Sequence, residues 1–194
     1  RDNRQQIRKI SKGLSVLNVF SYTGGFSIYA ISGGCRKIVE IDSNGLALKS
    51  SLQNKKLNFE ESSNLEYQQI EGDAFQKLQE LQELKSTNSQ FDLVILDPPA
   101  FARKKKHRPQ ALRAYSRLVE LGVQLVAPGG RLFSASCSVH ISAEDFYRAV
   151  NYGVTSVQKE LTEISRTGHA IDHPIKFNEL GYLKSVIGWV GDKK

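Results

Sequence analysis

Segments rich in β-branched residues alternate with helix-forming segments along almost the whole chain, and this alternation constrains the fold more than any other feature. Repeated β-α-β units form a parallel sheet with helices on both faces, because each crossover returns the chain to the same edge of the sheet. The last two β-rich segments have no helix between them, so we expect them to pair antiparallel. The sequence therefore predicts a doubly wound α/β domain with a mostly parallel sheet.

The predicted sheet has seven strands, over residues 15–20, 37–42, 65–70, 91–96, 131–136, 157–165 and 182–190. Residues 128–130 are predicted to turn the chain into the fifth strand. Helices are predicted over residues 26–31, 45–57, 74–85, 111–125 and 143–150. The apolar positions of the second helix are Leu46, Leu48, Leu52 and Leu57. Residues 1–12 are interpreted as a linker from an upstream domain, and 13–194 as the main domain.

The composition is that of an ordinary globular domain, with 194 residues of which 40% are hydrophobic and 24% charged. No apolar run approaches the roughly 18 residues that span a bilayer, which excludes a membrane protein. Two cysteines, Cys35 and Cys137, make neither a disulfide framework nor a metal cluster, so we expect a cytoplasmic location and no metal. The net charge of +7 suggests a polyanionic partner. Methionine is absent, including at position 1, and we interpret the chain as a piece of a longer protein.

The first predicted strand ends in a glycine-rich turn, Phe-Ser-Tyr-Thr-Gly-Gly-Phe over residues 20–26. In doubly wound sheets ligands bind beyond the carboxyl ends of the strands, near the point where the strand order reverses. Adjacent glycines permit a tight turn and a close backbone approach, with the amides of a helix N-terminus facing the ligand. The candidate cofactor-binding residues of this turn are Phe20, Tyr22, Thr23, Gly24 and Gly25.

Two further strand ends carry carboxylates. Asp42 ends the second strand about 20 residues after the turn, where a carboxylate accepts hydrogen bonds from ribose hydroxyls, and Asp73 follows the third strand, positioned to meet an adenine amino group. The dinucleotide fingerprint G-x-G-x-x-G is absent, so no pyrophosphate pocket is specified. Together these features predict an adenosine pocket without a diphosphate, which S-adenosylmethionine (SAM) would fill. Taken singly, the glycines also fit a plain strand-to-helix turn, and both acids fit helix N-caps.

The fourth predicted strand ends in Asp-Pro-Pro-Ala-Phe over residues 97–101. Consecutive prolines stiffen the loop and remove two backbone donors, which holds Asp97 in a fixed position. Phe101 is placed to stack on a planar base. We therefore assign Asp97 to catalysis and cofactor contact, and Pro98, Pro99 and Phe101 to substrate contact. The alternative interpretation is a rigid turn.

Cys137 follows the fifth strand, facing the same crevice as Asp97, in a position suited to nucleophilic catalysis. A thiol with an unperturbed pKa of about 8.5 is only a few per cent thiolate at neutral pH, so it needs activation. A small core residue is the alternative interpretation, and it is the one that we prefer for Cys35, at the opposite end of the sheet. His140 is near enough in sequence to tune the Cys137 thiol or to contact substrate, although a loop histidine commonly does neither.

The densest basic run follows the proline loop directly and reads Arg-Lys-Lys-Lys-His-Arg over residues 103–108, with Arg113 beyond. A run of charges is often a solvated surface, but this one borders the predicted site. Its position suits phosphate contacts that guide a nucleic acid into the crevice. The residues assigned to substrate contact here are Lys104, Lys105, Lys106 and Arg108.

These motifs resemble the catalytic domain of bacterial 23S ribosomal RNA cytosine-5 methyltransferases, class I SAM-dependent enzymes that usually carry an N-terminal PUA domain. The resemblance rests on residues 20–26, 97–101 and 136–138, and on the late segments Asp-His-Pro at 172–174 and Gly-Tyr-Leu-Lys at 181–184. Residues 1–4 resemble the segment that precedes the first strand in that family. The resemblance covers essentially the whole chain and implies a Rossmann-like class I methyltransferase fold, with a PUA domain upstream.

The resemblance implies a covalent mechanism on ribosomal RNA. The target cytosine leaves its stack and enters the crevice, and the Cys137 thiolate adds to C6 so that C5 takes the methyl group from SAM. Asp97 would hold or protonate the base at N3, and a base that the sequence does not identify removes the C5 proton before Cys137 departs. RNA cytosine-5 methyltransferases often have a second cysteine in the loop after this aspartate, and this chain has none there, as in the family that it resembles. A homodimer is compatible with the sequence, which leaves the oligomeric state open.

Three other functions fit parts of the pattern. A methyltransferase of the same fold that acts on another base or position, for instance a guanine ring nitrogen, needs Asp97 but not the thiol. An oxidoreductase that uses NAD fits the sheet, although the glycine spacing and the proline loop argue against it. A non-catalytic RNA-binding module that keeps a vestigial pocket is the third.

Overall fold

A computed structural model describes residues 1–59, 64–84, 90–102, 104–171, 173–176 and 181–193 of the chain. Within these residues one sheet is formed by the strands β1 (Ser15–Val19), β2 (Lys37–Asp42), β3 (Glu66–Glu71), β4 (Phe91–Leu96), β5 (Val126–Ser136), β6 (Lys159–Thr167) and β7 (Lys184–Asp192). The helices are α1 (Asp2–Ile10), α2 (Gly25–Ser32), α3 (Gly45–Asn58), α4 (Ala74–Glu83), α5 (Arg108–Val123) and α6 (Ala143–Thr155). None of these helices is both long enough and apolar enough to span a membrane.

The spatial order of the strands is β3-β2-β1-β4-β5-β7-β6. β1 pairs in parallel with both β2 and β4, and the pairs β2–β3 and β4–β5 are parallel as well. β7 is antiparallel to both of its neighbours, β5 and β6. The predicted mostly parallel seven-stranded sheet with an antiparallel C-terminal strand is confirmed. Because the strand order reverses between β1 and β4, their carboxyl ends border a crevice at the topological switch point.

Both faces of the central strands are covered, and successive side chains point to opposite faces. In β4, Leu93 and Ile95 belong to a core cluster shared with α1 and α2. Val94 and Leu96 belong to the other cluster, which includes side chains of α4, α5 and α6. This two-sided burial explains why the strand is an uninterrupted apolar run in the sequence, and it leaves the strand ends for polar chemistry.

Several element boundaries differ from the predicted ones. β1 ends one residue before Phe20, which has a left-handed conformation with φ of 59°. β5 begins at Val126, so the turn predicted over residues 128–130 lies inside the strand, where a register shift against β4 accommodates it. α5 begins at Arg108, so the end of the basic run is helical. Residue 85, the predicted end of the third helix, lies outside the described residues.

α3 buries part of the predicted apolar stripe. Leu48 is buried and Leu52 half-buried, as predicted, but Leu46 and Leu57 are 74% and 83% exposed. Ala47 and Ser51 are buried instead, and these small side chains let the helix pack closely against the turn that follows β1. The prediction was wrong for Leu46 and Leu57, because close backbone packing selects small residues.

Residues 2–10, which were predicted to belong to a linker, form the helix α1. Ile7 is fully buried in the core cluster that contains α2. Gln6 Nε2 donates to Ser165 Oγ at 2.7 Å, and Thr167 Oγ1 donates to Asn3 Oδ1 at 2.6 Å, so the helix is fixed to β6. α1 therefore packs onto the domain that was predicted to begin at residue 13, while the domain division itself stays a prediction.

Candidate functional site

The turn that follows β1 has an unusual backbone. Phe20 and Tyr22 are non-glycine residues with φ of 59° and 51°, and Gly24 has φ of 79°. A Cβ atom at Gly24 would lie 1.9 Å from Ser51 Oγ, so only glycine fits there. Left-handed residues cost about 1–3 kcal/mol each and persist where the surrounding structure fixes them, as it commonly does at binding sites.

Hydrogen bonds from β2 and α3 hold this turn in place. The backbone N–H of Tyr22 donates to Asp42 Oδ2 at 2.8 Å, and Asn54 Nδ2 donates to Thr23 O at 2.9 Å. Ser21 is buried, and its hydroxyl has no hydrogen-bond partner in the described part of the chain. A buried polar group without a partner costs free energy, so this hydroxyl would gain from a ligand that supplies one.

The two acids at the ends of β2 and β3 behave differently. Asn44 is the N-cap of α3 and accepts from two backbone N–H groups of its first turn, while Asp42 Oδ1 accepts from the Asn44 N–H at 2.9 Å. Asp73 does cap α4, because its Oδ1 accepts from the Gln76 N–H at 3.0 Å. The helix-cap interpretation is therefore wrong for Asp42 and right for Asp73, which keeps its second carboxylate oxygen for other contacts.

Glu40, in the middle of β2, is fully buried, and sequence reasoning missed it. Its carboxylate accepts from Ser51 Oγ at 2.7 Å, Tyr67 OH at 2.7 Å and Gln69 Nε2 at 2.8 Å. Burial and the charge of Glu40 raise the pKa of Tyr67, so the phenol remains a donor. Because Ser51 also contacts Gly24, this network positions α3 behind the glycine turn. The signal in the sequence was a lone acid among the apolar residues of a central strand.

Asp97 follows β4 and is half-buried. Burial raises the pKa of its carboxyl group to about 6, and the charge of the Arg4 guanidinium opposes this rise. A carboxyl group with such a pKa exchanges its proton near neutral pH, as a general acid or base must. Pro98 is buried and Pro99 is exposed, so of the two predicted contact residues only Pro99 is open to a substrate.

Phe101 packs into the core cluster at the end of the proline loop. Its ring centroid lies 4.8 Å from that of Tyr115, 6.2 Å from that of Phe75 and 6.3 Å from that of Phe20. These contacts anchor the loop to α5 and to the glycine turn. The ring is half-buried among side chains of its own chain, and its stacking on a base stays a prediction.

One cavity at the carboxyl ends of β4 and β5 brings Asp97 and Cys137 together. Its volume is about 190 Å³, and its lining includes Arg4, Phe26, Asp97, Cys137, Leu183 and Lys184. Cys137 is half-buried there. Cys35, in contrast, lies in the core cluster with α1 and α2, where burial raises the pKa of its thiol to about 12. Packing is therefore the right interpretation for Cys35, while the role of Cys137 stays a prediction.

The surroundings of Cys137 disfavour its thiolate. Burial raises the pKa of the thiol, and the charge of Asp97 raises it further. The Lys184 ammonium and the backbone N–H groups of Cys137 and Ala100 favour the thiolate, but they do not compensate. A proton on Asp97 would remove one of the two causes of the high pKa, so the two side chains are coupled.

Lys184, at the start of β7, is a site residue that sequence reasoning did not assign. It is buried, and its Nζ donates to Ser138 O and to Ile141 O, both at 2.6 Å. Ser138 Oγ in turn donates to Ala102 O at 3.1 Å. The segment that follows β5 is therefore tied to β7 on one side and to the proline loop on the other. The sequence signal was a lysine inside the Gly-Tyr-Leu-Lys segment that the resemblance had singled out.

The basic run lies on the surface beside the proline loop. Lys104, Lys105 and Lys106 are exposed and form no ion pair with any described residue. Arg108 pairs with Asp145 at 2.6 Å, so its guanidinium is already engaged. Residue 103, the first of the predicted run, lies outside the described residues. The three lysines are therefore the part of the run that is open to a phosphate.

Three rings cluster in the connection between β6 and β7. His169 Nε2 accepts from the backbone N–H groups of Tyr182 and Leu183 at 2.9 and 3.0 Å. His173 Nε2 hydrogen-bonds with Tyr182 OH. The cluster thereby places Leu183 at the wall of the cavity that contains Cys137. His140 is exposed on the turn after β5, and residue 172 lies outside the described residues.

A doubly wound sheet with an antiparallel seventh strand, a strained glycine turn at the switch point and an acid at the end of β2 define a class I methyltransferase. The chain belongs to the S-adenosylmethionine-dependent methyltransferase family, whose model matches residues 1–155. The cofactor of this family is SAM, which rules out the NAD-dependent oxidoreductase considered from the sequence.

Known proteins with similar sequences are longer than this chain. It is 41% identical over 186 residues to a ribosomal RNA large subunit methyltransferase from Deinococcus radiodurans, covering 96% of this chain and 44% of the relative. It is 38% identical over 189 residues to ribosomal RNA large subunit methyltransferase I from Aeromonas salmonicida, covering 96% of this chain and 46% of the relative. The chain therefore spans about half the length of these relatives. Among solved structures, SMU.776 complexed with S-adenosylhomocysteine (SAH) superposes with a TM-score of 0.83 at 22% identity, over 97% of this chain and 48% of that one, which shows the fold.

Proposed function

We propose that the protein transfers a methyl group from SAM to C5 of a cytosine in large-subunit (23S) ribosomal RNA, with Cys137 as a covalent nucleophile. The observation that supports this most strongly is that Asp97 and Cys137, from the adjacent strands β4 and β5, line the same cavity. An acid and a thiol at one substrate are what addition to C6 of a pyrimidine requires. Methylation of a ring nitrogen would use the acid and leave the thiol without a role.

The residues of the glycine turn and the neighbouring strand ends fit SAM. The first hydrogen bond within α2 joins the Ile28 N–H to Gly24 O, so the N–H groups of residues 25–27 point out of the helix without an intrahelical acceptor. The unpartnered Ser21 hydroxyl is buried in the same turn. Asp42 would accept from the ribose hydroxyls and Asp73 from the adenine amino group, while Phe20, Tyr22, Thr23, Gly24 and Gly25 shape the wall between them.

When bound, SAM supplies an electrophilic methyl group. The Asp97 carboxylate takes the proton of the Cys137 thiol, the sulfur bonds to C6 of the cytosine, and Asp97 gives that proton to N3, so that the C5–C6 electron pair becomes available at C5 to accept the methyl group. A base then takes the C5 proton, the sulfur–C6 bond breaks, and its electrons leave with Cys137 as thiolate while the double bond reforms from the C5–H pair. N3 returns its proton to Asp97, which regenerates the site.

The pKa of Asp97 fits this double task. With a value of about 6, roughly a tenth of the Asp97 groups carry a proton at pH 7. A proton on Asp97 is available to N3, and it also removes the charge that opposes the Cys137 thiolate. Asp97 can therefore take the proton of the Cys137 thiol and pass it to N3 of the cytosine, which couples formation of the thiolate to entry of the base.

Ribosomal RNA as substrate is supported by two independent observations. The similar proteins from Deinococcus radiodurans and Aeromonas salmonicida are named as ribosomal RNA large subunit methyltransferases. Lys104, Lys105 and Lys106 are exposed on the segment that follows the proline loop, where they can meet the phosphates that flank a flipped base. The net charge of +7 has the same sign as this interface requires.

The test is methyl transfer from SAM to unmodified 23S ribosomal RNA, followed by mass spectrometry of the nucleosides. We expect 5-methylcytidine from the protein and none from Cys137→Ala, because the thiol makes the only bond that activates C5. Cys35→Ala is the matched control and should retain activity, because Cys35 lies in the core and not in the cavity. RNA that contains 5-fluorocytidine should form a denaturation-resistant adduct with the protein and with Cys35→Ala, but not with Cys137→Ala.

The raised pKa of the Cys137 thiol favours one alternative, which is methyl transfer to a ring nitrogen such as one of guanine. That reaction needs Asp97 and no thiolate. A methylated guanosine as product, or full turnover by Cys137→Ala, would establish it and overturn the covalent mechanism. Binding of RNA without any methylated product would instead indicate a non-catalytic RNA-binding module.

A further inference from the structure

We propose that Arg4, on α1, binds the α-carboxylate of the methionine part of SAM. No sequence motif assigned this residue to the cofactor. The inference depends on SAM as cofactor and not on which base is methylated, so it stands or falls separately from the proposed cytosine chemistry.

The position of the guanidinium carries the inference. A Cβ atom built on Gly25, the first residue of α2, would lie 2.9 Å from Arg4 Cζ and 3.1 Å from both Nε and Nη2. The guanidinium therefore covers the start of α2 from the open side of the glycine turn. Arg4 also lines the cavity that contains Phe26 and Asp97, so it lies between the glycine turn and the reacting groups.

α1 holds Arg4 there by contacts on either side of it in the helix. Asn3 and Gln6 are hydrogen-bonded to β6, and Ile7 is fully buried. Arg4 occupies its place because the helix that carries it is docked, while its own side chain remains accessible. A ligand can therefore reach the guanidinium without moving the helix.

The positive charge of Arg4 and of the N-terminus of α2 favours binding of an anion at this point. Arg4 has no ion pair with a described residue, although its charge lowers the pKa of Asp97. The N-terminus of α2, which has no side-chain cap, directs unpartnered N–H groups and the positive end of its dipole to the same place. The two sets of donors are therefore adjacent, and neither forms an ion pair or hydrogen bond with a carboxylate of the described residues. The α-carboxylate is the anionic group of SAM, and a guanidinium binds a carboxylate through paired hydrogen bonds.

The test compares ligands with and without the carboxylate by isothermal titration calorimetry. Arg4→Ala should weaken SAH binding by roughly tenfold to a hundredfold, the range expected for one charge-assisted contact. Binding of 5′-methylthioadenosine, which lacks the amino-acid part, should stay within about twofold, because the adenosine contacts are untouched. Arg8→Ala, one turn further along α1, is the matched control and should bind both ligands like the unchanged protein.

Decarboxylated SAM gives a second readout on the unchanged protein, which keeps the test decisive if Arg4→Ala folds poorly. SAM should bind more tightly than its decarboxylated analogue, and Arg4→Lys should reduce that preference while Arg4→Ala removes it. Equal reductions in affinity for SAH and methylthioadenosine, or a carboxylate preference that survives Arg4→Ala, would overturn the proposal. Weaker binding of a 23S RNA fragment by Arg4→Ala with SAH binding unchanged would also overturn it, and would make Arg4 a phosphate contact.

Discussion

At the scale of single residues, Asp92 and Asp97 show how the surroundings shift the pKa of the same side chain in opposite directions. Asp92 lies near the start of the strand, where hydrogen bonds from Ser15 and Arg36 lower the pKa of its carboxyl group although burial opposes them. Asp97 follows the end of the same strand, where burial without such partners raises the pKa to about 6. One carboxylate is thus stabilised in the folded protein and the other is destabilised.

Asp97→Asn should raise the thermal stability at neutral pH and change it little at pH 4. A group whose pKa is raised on folding favours the folded state at acidic pH and loses that contribution as the pH rises through its folded value. The rise from 3.8 to about 6 corresponds to a cost of up to about 3 kcal/mol for the ionised group. Melting temperatures measured from pH 4 to pH 8 test this, and methyl transfer should be abolished in the same variant.

Asp92→Asn is the matched control for the sign of this effect. Its carboxyl group has a lowered pKa, so it stabilises the fold at neutral pH and loses that contribution as the pH falls through the folded value. The variant should therefore melt at a lower temperature than the unchanged protein at pH 7, with a difference that shrinks at low pH. Equal and same-signed shifts in the two variants would contradict the assignment.

At the scale of elements, β7 holds the segment after β5 that contains Cys137. The antiparallel pairing of the two strands places Lys184 opposite Ser136, one residue before Cys137. From there the ammonium group reaches two backbone carbonyls of the segment that follows. The position of the thiol therefore depends on a strand that the sequence order places nearly fifty residues later.

Lys184→Met should lower the stability and also slow the reaction of the Cys137 thiol. Each buried carbonyl left without its donor costs roughly 1–3 kcal/mol, and the thiolate is deprived of a nearby positive charge. The rate of alkylation by iodoacetamide, followed against pH, should give a higher apparent pKa for Cys137 than in the unchanged protein. Lys159→Met, which removes an exposed ion pair with Asp192 on β7, should leave that pH profile in place. A profile unaffected by Lys184→Met would limit Lys184 to a structural role.

The sequence was sufficient to predict elements that are buried on both faces. It was insufficient for elements whose position depends on contacts with residues that are distant in the sequence. β4 and Asp97 were predictable because an unbroken apolar run ends in an acid and two prolines. α1 was not, because its nine residues include only two large apolar side chains and its stability depends on contacts with β6. The exposure of Leu46 was missed for the same reason, since α3 packs by its small residues against a turn in another part of the chain.

The candidate site shows the same division. Strand ends with acids and a cysteine could be found by position, because the carboxyl ends of parallel strands meet at one edge. Lys184, Glu40 and Arg4 could not, because each acts through a partner that only the packing brings near. The helix cap at Asp73 and its absence at Asp42 likewise depend on a difference of two residues in the distance to the next helix, which the sequence pattern does not resolve.

At the scale of the whole molecule, the net charge of +7 includes three exposed lysines on the segment that follows the proline loop. Replacing Lys104, Lys105 and Lys106 together by alanine should weaken binding of a 23S RNA fragment and reduce its salt dependence. Each phosphate that is no longer neutralised changes the slope of log K against log salt by about 0.7 for single strands, so the slope should fall by about 2. Binding titrations at several salt concentrations measure both quantities.

A second triple variant separates position from net charge. Lys9, Lys12 and Lys49 are exposed on other parts of the fold, and their replacement by alanine removes the same number of charges. This variant should bind the RNA fragment with a slope close to that of the unchanged protein. If both variants bind the fragment equally weakly, the RNA responds to the overall charge and the lysines beside the proline loop are no specific interface.

The attachment of α1 to β6 also sets the order in which the protein becomes functional. The two hydrogen bonds that join them close loops of 159 and 164 residues. A chain that grows from its N-terminus exposes α1 on the ribosome long before β6 has been translated, and contacts so remote in sequence form slowly. The attachment of α1 to β6 is consequently among the last contacts of the molecule to form. A nascent chain can therefore hold most of its sheet while the helix that carries Arg4 still lacks these two hydrogen bonds, until translation of this domain is almost finished.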